Sequence, residues 1–125
     1  MAAGSPPRAR MRDGGLIMKS IRLLYRNMQG RVKCNYNWDW QRMCERSAVM
    51  VTAAEWEAGH APGDSSPGRP RLGEANIYVT NIGPHDPEDG PGGVEFYLHV
   101  DSDTPLDVLV TITDLGLVER TVAAK

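Results

Sequence analysis

The stretch "VEFYLHVDSDTPLDVLVTITDL", Val94 to Leu115, decides the fold. Val94, Phe96, Leu98 and Val100 alternate with Glu95, Tyr97 and His99, and beyond a turn at "DSDTP" the set Leu106, Val108, Val110 and Ile112 takes up the same rhythm. Successive side chains of a strand point to opposite faces, so a period of two marks a strand with one face in a core and the other in water. Pro105 opens the second run, where a missing N–H is tolerated. "ANIYVTNI", Ala75 to Ile82, shows the period again through Ala75, Ile77 and Val79. A short further run, Leu117 to Ala123, is expected after a tight turn at "DLG". Antiparallel strands with turn signals at this spacing predict a mainly β fold, an antiparallel β-sandwich-like domain.

The N-terminal half carries mixed signals. Val32, Cys34, Tyr36, Trp38 and Trp40 alternate with charged or amide residues, which predicts a half-buried strand. In "SAVMVTAAEWE", Ser47 to Glu57, clustered Val and Thr favour a strand over a helix, with Ala48, Met50, Thr52, Ala54 and Trp56 on one face. Before these, Leu16, Ile17, Ile21, Leu24 and Met28 recur at helical spacing with Lys19, Arg22 and Arg26 largely between them. That pattern predicts an N-terminal amphipathic helix over Gly15 to Met28, with Asp13 as cap and Gly30 as stop. "GHAPGDSSPGRPRLG", Gly59 to Gly73, has the Gly/Pro/Ser texture of a loop. The expected organisation is a disordered basic tail at 1–14, a helix and first strands at 15–58, the loop at 59–73, and an antiparallel region of the same single domain at 74–125.

A chain of 125 residues suits one modest core. No apolar run approaches the roughly 18 residues of a membrane-spanning helix, and Lys19 and Arg22 interrupt the apolar stretch that a secretory signal would need. The expectation is a cytoplasmic chain without membrane attachment, its Cys34 and Cys44 reduced. Two cysteines with no CxxC, and histidines far from both, argue against a zinc finger.

Charge is the most uneven property of the chain. Through Arg46 there are ten basic residues against three acidic; after it, four against thirteen. Opposite halves attract each other, within a molecule or between molecules, so self-association or a protein partner is the leading expectation. Arg22, Arg26, Arg31 and Lys33 with Tyr36 and Trp38 are the candidates for a polyanion, since phosphate neutralisation plus base stacking is how sequence-tolerant nucleic-acid binding works.

The acid-rich loop Gly83 to Gly93 suggests a metal site. His85, Asp86 and Asp89 lie in it, and His99, Asp101 and Asp103 follow on the next strand and turn. Calcium or another divalent metal wants several oxygen ligands, but Pro105 stands where "DSDTPLD" would need one, and the strand rise separates the two groups. No cofactor is expected beyond such a metal. G-x-S-x-G, H-E-x-x-H and P-loop patterns are all missing from the sequence. The leading expectation is therefore a small non-catalytic binding or interaction domain acting through its long loops. The alternatives are a nucleic-acid-binding protein using the basic, aromatic N-terminal half, and a metal-dependent enzyme or calcium-binding module using the Asp/His loops.

Overall fold

A computed structural model describes residues 18–38, 43–59, 68–86 and 92–125 of the chain. It contains the strands β1 (Lys19–Met28), β2 (Gly30–Asn37), β3 (Ser47–Glu57), β4 (Arg69–Arg71), β5 (Asn76–His85), β6 (Gly93–Asp101) and β7 (Leu106–Leu117). They form two sheets, ordered β1-β7-β3-β4 and β2-β6-β5, and every pairing is antiparallel.

The period-two residues build the core from both sheets. Cys34, Val94, Phe96, Leu98 and Val100 come from the three-stranded sheet, and Val51, Val108, Val110 and Ile112 from the four-stranded one. Trp38 and Met43, on the connection between β2 and β3, join the same cluster. Each fully buried apolar side chain of this size contributes about 1.5–3 kcal/mol, which is why both sheets turn these faces inward. Two antiparallel sheets that share one core are consistent with a sandwich.

Four expectations need correction. Lys19 to Met28 is strand β1, not helix; Gly15 to Ile17 lie outside the described residues. Ile21, Leu23 and Tyr25 face the core at period two, opposite Ile112, Val110 and Val108 of β7. Leu24 lies on the other face, opposite Leu109, and it was Leu24 that completed the helical spacing.

The strand assignment of Ser47 to Glu57 holds, but its core side is Val49, Val51 and Ala53 rather than the face carrying Met50 and Trp56. A three-residue strand, β4, occupies the end of the expected loop. Finally, β7 runs on through "DLG" to Leu117, and Val118 to Lys125 form no strand. Asp114 Oδ1 accepts the Gly116 N–H at 2.9 Å, so the expected turn is a local kink within β7.

The corner between β1 and β2 is made by Gln29 and by Gly30, whose φ of 74° suits glycine. At the same corner Asp107 Oδ1 accepts the Asn27 N–H at 2.9 Å, and Asp107 Oδ2 pairs with Arg26 at 3.2 Å. The Asn27 N–H and the Gln29 side chain, which donates to the Ser102 carbonyl oxygen at 3.1 Å, are thereby partnered where the chain passes from one sheet to the other.

Tyr25 and Cys34 meet under this corner as protonated neighbours. Burial, then the adjacent Cys34 thiol, pushes the Tyr25 phenol up to about 12 from its ordinary 10.0. Burial likewise raises Cys34, and its hydrogen bond with Tyr25 pulls it part of the way back. The folded state holds the Tyr25 proton more tightly than the unfolded chain does. The associated stabilisation is therefore complete below about pH 10 and lost as pH rises toward about 12. Tyr25→Phe should flatten that alkaline fall in denaturant-unfolding curves; an unchanged pH profile would remove Tyr25 as its cause.

Candidate functional site

The outward face of β2, β6 and β5 gathers residues that the sequence kept apart. Strand register sets its rows: Arg31, His99 and Tyr78 stand abreast, then Lys33, Tyr97 and Thr80, then Asn35, Glu95 and Gly83. The end row is Asn37, Gly93 and His85. Directly opposite residues lie about 4.5–5.5 Å apart, so these side chains order one another.

The contacts follow from those rows. The Arg31 guanidinium lies 3.7 Å from the centroid of the Tyr97 ring, a cation–π arrangement. Tyr78 and His99 stack with ring centroids 4.4 Å apart and planes 4° from parallel, and His99 Nε2 shares a 2.7 Å hydrogen bond with Thr80 Oγ1. At the end of the face His85 Nε2 donates to Asn35 Oδ1 at 2.8 Å, and Asn35 Nδ2 donates to Asn37 Oδ1 at 3.1 Å. His85 on β5 reaches β2 because the intervening Gly93 of β6 puts no side chain between them.

Tyr78 remains 44% exposed, although its ring is already held by His99. Next to it lies an open recess of about 640 Å³, bordered by Leu72, Glu74, Asn76, Tyr78 and Asp101. It contains carboxylates but no histidine.

The metal candidates do not converge. His85 and Asp86 are at one end of this face, His99 is three rows away, and Asp101 and Asp103 lie beyond it; Asp89 is outside the described residues. Among the described residues, no three His, Cys, Asp or Glu side chains come together as a metal would require.

The polyanion candidates are divided between two outward faces. Arg22 Nε donates to Thr111 Oγ1 at 3.0 Å, and Arg26, paired with Asp107, lies over Trp56; both belong to the four-stranded sheet. Arg31 and Lys33 stand on the three-stranded sheet. Tyr36 packs half-buried against the core, and Trp38 is fully buried, so neither ring offers a stacking surface with those cations.

No family model, curated protein or solved structure matches this chain. Tyr78, Tyr97 and Thr80 escaped the sequence reading because their strand positions marked them only as the wet side. The available signal was the aromatic character of Tyr78 and Tyr97 at positions that alternation assigns to the wet side.

Reach along the sheet also explains why the two histidines do not form one site. Three rows correspond to six residues of β6, or about 20 Å at the usual strand rise. Both point outward from the same sheet, yet each is committed to its own hydrogen-bond partner.

Proposed function

We propose that this chain is a small non-catalytic, β-sandwich-like binding module that engages a protein or peptide partner through the outward face of β2, β6 and β5. The observation that carries this reading is the ordered set of Arg31 on Tyr97 and Tyr78 on His99. Tyrosine and arginine are enriched at the centres of protein interfaces, where they supply large contact areas. Tyrosine does so with little side-chain entropy to lose, and rings that are already stacked lose less still. The long loops that the sequence favoured lie in part outside the described residues, and the face takes their place.

The test is selection of displayed peptides on the folded protein, followed by affinity measurement on substituted faces. Tyr78→Ala and Arg31→Ala should each weaken a selected peptide by at least about tenfold while leaving the melting temperature nearly unchanged. Peptides that bind both variants as well as the parent would place the contact elsewhere.

A second reading has one specific observation in its favour: Arg31, Lys33 and Tyr97 are contiguous, as a stacking platform for a single-stranded nucleic acid would need. Glu95 and Asp101 on the same strand oppose it by repelling phosphate. A salt-sensitive oligonucleotide complex lost in Lys33→Glu would favour this alternative over the peptide.

A further inference from the structure

Each sheet has two edges, and an exposed edge is a template for another strand unless something blocks it. Three of the four edges here carry a block. In β1 the register with its neighbour breaks between Tyr25 and Met28. β4 has only three residues, one of them Pro70, and covers only Glu55–Glu57 of β3; the remainder of β3 shifts register with β7 between Ser47 and Val49 and lies close to β5 of the other sheet. In β5 the register breaks between Thr80 and Gly83, and Pro84 follows.

β2 is different. Its eight residues, Gly30–Asn37, hold unbroken register with β6 and include no proline, and among the described residues β6 is its sole partner strand. Val32 and Tyr36 point toward the core yet remain half-buried, so a further strand would cover them. The only guards on this edge are the charges of Arg31 and Lys33.

We propose that β2 pairs with β2 of a second copy of this chain, antiparallel about a two-fold axis at Cys34. That register sets Arg31 opposite Asn37 of the second copy and Lys33 opposite Asn35, so no cation faces a cation. On the inner side it sets Val32 opposite Tyr36. Centring the axis on Lys33 would oppose two lysines, and centring it on Val32 would set Arg31 against Lys33. Centring on Asn35 shortens the ladder to residues 33–37. An axis between residues would bring outward side chains opposite inward ones, against the pleat. The Cys34 register thus neutralises both guards while keeping the longest ladder.

Pairing in this way joins the two three-stranded sheets into one six-stranded sheet with a continuous outward face. The inference stands apart from the partner reading, because it is scored by mass and not by any ligand. A single ladder is a small interface, so the dimer should be weak and concentration-dependent.

The experiment is sedimentation equilibrium of the full chain over a wide concentration range, with variants at exposed Asn35 and Asn37. Asn35→Glu places a carboxylate opposite each Lys33, and Asn35→Lys places a cation there. Each symmetric pair of changes should shift the dimer dissociation constant by roughly 2- to 30-fold, tighter for Glu and weaker for Lys. Asn37→Glu, facing Arg31, should tighten it independently, and thermal melts confirm that each variant folds. A chain that stays monomeric throughout overturns the proposal. A dimer whose affinity ignores these changes, or follows the opposite order, overturns it as well.

Discussion

Trp38→Ala costs the fold about 3–5 kcal/mol, a large part of the roughly 5–15 kcal/mol by which domains are usually stable. Trp38 has no exposed surface and is the largest of the fully buried side chains. It follows directly on β2, where its N–H extends the ladder by bonding the Gly92 carbonyl oxygen at 3.0 Å. Its ring packs near Tyr36, with centroids 6.5 Å apart. Truncation removes the transfer free energy of the indole and leaves a cavity whose walls are two paired sheets, which collapse poorly. Urea unfolding should show a much lower midpoint with little change in slope. A loss under about 1 kcal/mol would mean that the indole does not fill the core, and would return Trp38 to the candidates for a stacking contact.

The second large effect is expected at Gly93, where β6 begins. A methyl group there would run into the Tyr36 carbonyl oxygen and lie 2.8 Å from Asn37 Oδ1 and 3.0 Å from the Asn37 Cα. The obstructing atoms include the backbone of the neighbouring strand, which cannot rotate away as a side chain can. Gly93→Ala should therefore cost toward the upper end of the roughly 1–3 kcal/mol typical of overpacking, and loosen β2 from β6. It should also disturb the hydrogen bond from His85 to Asn35, which spans this position.

Gly83, in the adjacent row on β5, is the internal control. A methyl group there meets nothing within 4 Å, and Gly83 does not have a positive φ. Gly83→Ala should stabilise by about 0.4–1 kcal/mol, because it narrows the unfolded ensemble without straining the folded one. Equal responses of the two glycines in the same unfolding assay would contradict the close approach at Gly93.

The polar and apolar faces of Val94 to Ile112 were legible in the sequence because alternation is a local property. Phe96, Leu98, Val108 and Val110 needed no partner to declare that they share a side. β2 was legible for the same reason, through Val32, Cys34, Tyr36 and Trp38. The signal failed wherever both faces of a strand carry apolar residues. β1 has Leu24 on the face opposite Ile21, Leu23 and Tyr25, and the combined set imitates a helix. In β3 both candidate faces were apolar, with Val49, Val51 and Ala53 against Met50, Ala54 and Trp56. Only the pairing with β7 settles which of them the core receives.

The outward face depended still more on tertiary structure. Arg31 and Tyr97 are far apart in the chain, as are His85 and Asn35, and they meet through the register of β2, β6 and β5. By itself the sequence determined that the chain is mainly β, which side of its clearest strands is wet, and how its charges divide. The tertiary structure decided which cations stand beside which rings. It separated Arg22 and Arg26 from Arg31 and Lys33, and buried Trp38. The physical reason is that periodicity is written residue by residue, whereas register is set by hydrogen-bond ladders and core packing between segments that no local pattern connects.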